Sequence, residues 1–342
     1  MTINLKTCLP PDWVNGPQAD AIAIEALHGG QSGARVFRVT APAGVHVLKL
    51  TAPDEPLASW QRGVAMQQAA AAAGAAPRVV HQVAEHRAVL SEYIAADVPF
   101  AARYGNPATR SEALSQLART LRRIHDLPVT PDLEPMPMAD SLAVLTSAHN
   151  TAQQLGALPA WVDAHVHTLR AEAIPATDRA PVLSHNDVNP TNIACVGDRL
   201  VLLDWQTAAM NDPYYDLATA SVFLRMDTAT SAALLAAYDG RSTTPHEAMT
   251  LPPRFSWSQR IAAALSGTML LQLAHHLGHR GDMDIAERDA PLLEQVYAEA
   301  RAGTLAMHNG AGQWALGLAL LRVSGRSVAV WNAGNTSQGM HA

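Results

Sequence analysis

Residues 183–206 read LSHNDVNPTNIACVGDRLVLLDWQ, two short apolar runs edged by His185, three Asn and the acids Asp187 and Asp204. Buried strands do not ordinarily carry so many polar groups without partners. The stretch is therefore either a surface hairpin with polar ends or a site that holds something charged. Gly197-Asp198 is a two-residue turn signal between the runs. With that turn Val196 faces Arg199, and pairing back from there sets Asn192 opposite Leu203, one step from Asp204. The hairpin thereby brings the Asn192 amide oxygen and the Asp204 carboxylate to one end, within reach of a shared cation. Mg²⁺ takes oxygen ligands of this kind together with water and phosphate. Asp187, on the loop entering the hairpin, can face the same place. Two carboxylates converging with nothing between them would repel.

The chain of 342 residues is long enough for two lobes with separate cores. A net charge of -6 gives no general attraction to nucleic acid or an anionic membrane, and neither is expected as a partner. Two cysteines, Cys8 and Cys195, do not make a disulfide framework and fit a reducing compartment. The first residues, MTINLKTCLPPDW, lack a signal-peptide pattern, and no apolar run approaches the ~20 residues of a membrane span. A soluble, cytoplasmic protein is expected. The 24 basic residues include only two lysines, Lys6 and Lys49. Lys49 lies inside the apolar run VHVLKL, which suits a compact ammonium better than a planar guanidinium. Spacing alone is equally compatible with a snorkelling surface lysine.

The first third reads as strands and turns: a run ending in HGGQSGARVFRV, a partner strand at VHVLKLT, an Ala-rich helix from Trp60 to Gly74, and two strands broken near Glu85. Beyond residue 95 the pattern turns helical. TRSEALSQLARTLRRIHDLP opens with a Thr109-x-x-Glu112 capping-box spacing and carries Leu114, Leu117, Leu121 and Ile124 on one face. Further helices are expected over 141–173, 214–239, 257–279 and 284–306, whereas the last thirty residues have weak periodicity.

The ordered set His185-x-Asp187-x-x-x-x-Asn192, then Asp204, resembles the catalytic loop and metal-binding Asp of the eukaryotic-protein-kinase-like fold. HND where protein kinases have HRD, DW where they have DFG, and MNDPYYDLA at 210–218 are similar to the choline/ethanolamine kinases and aminoglycoside phosphotransferases, nearest to the bacterial choline-kinase branch. Order and spacing agree from about residue 25 to about 220, a far more specific signal than a lone Gly-rich loop.

The resemblance implies an α+β, bilobal protein-kinase-like fold. A small antiparallel-sheet N-lobe with one main helix would span 1–95, and a larger, mostly helical C-lobe 96–342. It implies transfer of the γ-phosphate of ATP, with Mg²⁺, to a hydroxyl of a small cationic acceptor. Asp187 would accept the hydroxyl proton, and Asn192 and Asp204 would hold Mg²⁺. Lys49 would contact the α- and β-phosphates. Gly29, Gly30 and Gly33 would turn the backbone over the phosphates, with Ser32 as a donor. Glu92 and Ile94 would offer backbone groups to adenine. His185 would brace the loop, Asp216 would tie it down, and Asp212 could line the acceptor pocket. A quaternary ammonium needs aromatic faces; Tyr215 and Trp257, besides Trp205 and Tyr214, are candidates, and each is equally a core residue.

One departure stands out. Kinases usually pair the strand Lys with a helix Glu, yet no acid occurs between Glu55 and Glu85. Gln67, Gln68 or Glu55 could serve instead, and the gap leaves room for an inactive nucleotide-binding module. An aminoglycoside or other metabolite is the rival acceptor. In the cluster His275, His276 and His279, only His275 and His279 lie one helical turn apart and no third ligand is evident, so a helix surface and no zinc is expected. The oligomeric state is left open.

Overall fold

The computed structural model describes residues 3–27, 34–129 and 137–325. In chain order the elements are α1 (Pro11–Val14), β1 (Ala23–Leu27), β2 (Arg35–Ala41), β3 (Gly44–Leu50), α2 (Leu57–Ala72), β4 (Val79–Val83), β5 (Ala88–Glu92), α3 (Phe100–Gly105) and α4 (Arg110–His125). There follow α5 (Ser141–Gln154), α6 (Ala160–Ala171), β6 (Val182–Ser184), β7 (Ile193–Val196), β8 (Arg199–Leu202) and β9 (Ala209–Asn211). The remainder is helical: α7 (Pro213–Phe223), α8 (Thr228–Tyr238), α9 (Pro253–His276), α10 (Leu293–Ala302) and α11 (Gly310–Ser324). The described residues form two compact units. One comprises residues up to Met138 with Pro181–Asp216 and Ala237–Asp239; the other comprises Ala139–Ala180, Leu217–Ala236 and the chain from Gly240.

In the first unit five antiparallel strands run in the order β1-β2-β3-β5-β4. The two-residue period divides β3 between faces. Leu48 and Leu50 pack with Val39, Ala88, Leu90, Cys8 and Leu9 in one core, each leucine worth roughly 1.5–3 kcal/mol of burial. Val47 and Lys49 line a cavity on the other side, with Val89 and Ser91 of β5 and Trp60, Val64 and Gln67 of α2. The alternation that makes β3 a strand thus also sets the ammonium towards the cavity. β7 and β8 form the expected hairpin, with Val196 opposite Arg199 and Ile193 opposite Leu202. Gly197, at φ 55°, takes the left-handed backbone that its tight turn requires. α4 buries Leu114, Leu117, Leu121 and Ile124 as its stripe predicts.

The expected Thr109 cap is not formed. The Thr109 backbone is already helical, and its hydroxyl donates to the Arg103 carbonyl at 2.6 Å, closing α3 rather than opening α4. Glu112 pairs with Arg119 instead, at 2.8 Å. Two long helical readings also divide. Residues 141–173 break between α5 and α6, where Gly156 has φ 62° and Pro159 precedes α6; residues 214–239 break near Arg225, at φ 53°. The segment 284–306 is α-helical only over Leu293–Ala302, preceded by a 3₁₀ turn at Glu287–Asp289.

In the second unit α9 packs against α11, a helix that the sequence pattern does not announce. Its residues are buried nearly all round, from Trp314 and Leu316 to Leu318, Ala319, Leu320 and Leu321, so no polar face marks a period. Two glycines permit the contact: a Cβ on Gly267 would lie 2.8 Å from the Gly317 carbonyl oxygen, and one on Gly317 would lie 2.9 Å from that of Gly267. Among the described residues no helix is long and apolar enough to cross a membrane.

Candidate active site

Lys49 Nζ donates to Asp204 Oδ1 at 2.5 Å, joining β3 to the residue just beyond β8. Both line a cavity of about 310 Å³, walled by Val36, Val47, Val64 and Val89 and bordered by Glu92, Tyr93 and Ile94. A mostly apolar slot with an ion pair on its wall suits a flat aromatic base carrying an anionic tail. Tyr93 N–H is committed to the Val45 carbonyl at 3.2 Å, which continues the β3–β5 pairing up to the cavity edge. Gly29, Gly30, Ser32 and Gly33 lie outside the described residues.

Gln67 donates from Nε2 to the Pro77 carbonyl at 3.0 Å and to Ser91 Oγ at 2.8 Å, and Glu55 accepts from Gln206 at 3.4 Å. Neither engages Lys49, whose partner is Asp204. α2 meets this segment sterically. A Cβ on Gly63 would lie 2.9 Å from the Trp205 carbonyl oxygen, so only glycine lets the helix come so close.

The loop between β6 and β7 holds Asp187. Asn192 Nδ2 donates to the Asp187 carbonyl at 3.1 Å and to its Oδ2 at 2.8 Å. A carbonyl can only accept, so the NH₂ end of Asn192 faces Asp187 and its Oδ1 is left for another partner. The Asn192 carbonyl accepts from Leu203 N–H at 2.8 Å, next to Asp204. A carboxylate and an outward amide oxygen on adjacent strand ends are the hard donors that Mg²⁺ takes, and the residues present fit that ion.

His185 is buried; its Nε2 is 2.9 Å from the Leu203 carbonyl and so must carry the proton. Its Nδ1 then accepts the Asp187 N–H at 3.3 Å, and its ring meets Trp205 edge to face at 4.7 Å. Asp216, fully buried in the first turn of α7, accepts from His185 N–H at 2.8 Å and Asn186 N–H at 2.7 Å. His125 Nε2 is 3.0 Å from Asp216 Oδ2, and His125 Nδ1 is 2.8 Å from the Tyr238 hydroxyl. Burial alone would raise the Asp216 carboxyl, but the hydrogen bond and charge of His125, with the His185 contacts, hold it below its ordinary value. Asn186 and Asp204 both adopt left-handed backbone, at φ 65° and 63°.

Asp212 is buried, and its carboxylate accepts the Tyr214 N–H at 2.9 Å. Tyr215 is buried in α7. Trp257 belongs to the second unit, where it is buried with the Arg254 guanidinium 4.7 Å over its ring. His125 and Tyr238 were not signalled by the sequence, because they reach Asp216 across 91 residues and His125 across 113. Asn189 was also missed, although Asn-Pro-Thr is a local turn signal that could have found it. Among the described residues no group of three or more His, Cys, Asp or Glu could hold a metal.

An antiparallel five-stranded sheet covered by one helix, with a strand lysine paired to a hairpin-end acid, is the arrangement of a protein-kinase-like fold. The chain belongs to the phosphotransferase enzyme family APH, whose model matches residues 23–251. No curated protein matches it. Among solved structures it is similar to a choline/ethanolamine kinase family protein from Mesorhizobium loti, at 22% identity and TM-score 0.57, covering 91% of this chain and 97% of that one. It is similar to an ethanolamine kinase from Plasmodium vivax, at 11% identity and TM-score 0.64, covering 94% and 86%. The gentamicin complex of APH(2")-IIa matches at 14% identity and TM-score 0.53, covering 91% and 93%. At these identities the likeness is one of fold.

Proposed function

We propose that the enzyme transfers the γ-phosphate of ATP to a hydroxyl of a small cationic alcohol of the choline or ethanolamine type. The observation that carries this reading is the Lys49–Asp204 pair on the wall of a base-sized cavity, on a hairpin whose loop presents Asp187. In this reading Glu92 and Ile94 offer backbone groups to adenine. Lys49 contacts the α- and β-phosphates, and Gly29, Gly30, Ser32 and Gly33 cover them. Asn192 and Asp204 would hold Mg²⁺, whose charge offsets that of the phosphates. Asp187 accepts the proton of the acceptor hydroxyl and orients it. His185 and Asp216 fix the loop that carries Asp187. Residues 1–95 would then supply nucleotide contacts, and the chain from 96 the catalytic loop and acceptor contacts, with Asp212, Tyr215 and Trp257 the candidates for the latter.

A second reading is a nucleotide-binding module without transfer, favoured by the lack of an acid on α2 to pair with Lys49. Radiolabelled ATP offered with choline, ethanolamine, aminoglycosides, thiamine and sugars separates the two. Transfer to an amino alcohol is expected, lost by roughly 10²–10⁴-fold in Asp187→Ala while nucleotide binding persists. Transfer to an aminoglycoside alone would replace the acceptor class. Binding without turnover across the panel would establish the second reading.

A further inference from the structure

Asp187 has a second amide partner besides Asn192. Asn189 Nδ2 donates to Asp187 Oδ1 at 2.9 Å, while Asn192 Nδ2 donates to Oδ2, so each carboxylate oxygen is gripped from one side. The direction of the Asn189 amide is itself fixed. Its Oδ1 accepts the Thr191 backbone N–H at 2.9 Å and the Thr191 hydroxyl as well. A backbone N–H can only donate, so the atom facing it must be the oxygen, and the NH₂ end is left to face Asp187. Pro190 holds the turn between them, in the short 3₁₀ segment Pro190–Asn192 for which Asn189 is the N-cap. Val188, fully buried, anchors the backbone between the acid and the amide.

We propose that Asn189 is a positioning residue for Asp187, oriented by Thr191, and that the two amides together set the plane of the carboxylate. Building on the transfer reading above, the consequence is geometric. A carboxylate free to rotate about its terminal bond meets the acceptor hydroxyl in many orientations, whereas one held at both oxygens presents a fixed lone pair. Asn189 acts through Asp187 and need not touch the acceptor or the nucleotide.

Steady-state transfer from radiolabelled ATP to choline, and to water, tests this. Asn189→Ala is expected to lower kcat by roughly 10²-fold, with the KM for ATP within about twofold of the wild type, the split that loss of orientation produces. Thr191→Val should lower kcat in the same way and Thr191→Ser should restore it, since only the hydroxyl is needed. If Asp187→Ala abolishes transfer while Asn189→Ala and Thr191→Val retain wild-type kcat, the transfer reading stands and the Asn189 proposal falls. A rise in KM for ATP without loss of kcat overturns it equally. A measurement free of turnover covers misfolding and inactivity. In ¹⁵N-asparagine-labelled protein the Asn189 side-chain amide pair, assigned by its loss in Asn189→Asp, should move in Asp187→Ala and broaden in Thr191→Val. Signals unmoved in both variants overturn the proposal.

Discussion

Asp216 gathers three donors onto one buried carboxylate, and two of them are backbone groups of the loop that carries Asp187. A carboxyl held below its ordinary value in the fold contributes stability that is complete above the unfolded-state value of about 3.9 and is lost as pH falls through the folded value. Asp216→Asn removes that contribution. Loss of one member of a buried charged network costs about 3–5 kcal/mol, and urea unfolding at neutral pH should show a loss of that order. The same titrations repeated below the carboxylate range should show the variant losing less further stability than the wild type. Parallel declines would remove Asp216 as the acid-sensitive anchor. The residue scale also shows what a sequence can disclose about a site. Asp187, Asn192 and Asp204 were legible because one hairpin joins them over a short separation, and turn chemistry fixes its register. His125 was not, because nothing at the end of α4 distinguishes a histidine that bonds a distant carboxylate from one facing solvent.

Among the elements, the one-sided apolar patterns of β3 and α4 were read correctly, whereas α11, buried nearly all round, was missed. β3 declared itself through alternation, and α4 through its leucines. α11 has no polar face to contrast with its apolar one, and its Gly317, ordinarily helix-weakening, serves contact with α9 instead. That contact has a direct test. A Cβ on Gly267 would approach Leu321 Cγ at 2.7 Å and the Gly317 carbonyl oxygen at 2.8 Å. Gly267→Ala should therefore destabilise the protein by about 1–3 kcal/mol despite the better helix propensity of alanine. Calorimetry reads the outcome, and an unchanged or raised Tm would mean that the two helices part without strain. The splitting of 141–173 and 214–239 shows the opposite failure: continuous apolar periodicity hid the left-handed residues Gly156 and Arg225, at which the chain changes direction.

At the scale of the whole molecule the order of motifs proved more informative than composition. Modest charge and two cysteines fit many folds, whereas the sequence of loop, strand lysine, hairpin and acid fits few. Nucleotide binding should be visible in the stability of the full chain. A ligand at a hundred times its Kd contributes about 2.7 kcal/mol, which for a chain of this size raises Tm by several degrees. Calorimetry with and without Mg-ATP should show that rise in the wild type and a smaller one in Lys49→Ala; equal shifts would take Lys49 out of the nucleotide site. One backbone feature bears on how such a molecule can change over generations. Asn186 and Asp204 occupy a conformation that suits glycine best and asparagine and aspartate next. Glycine at Asp204 would ease the backbone but take away the carboxylate that pairs with Lys49, so breeding for heat resistance alone would set the chain's comfort against that ion pair.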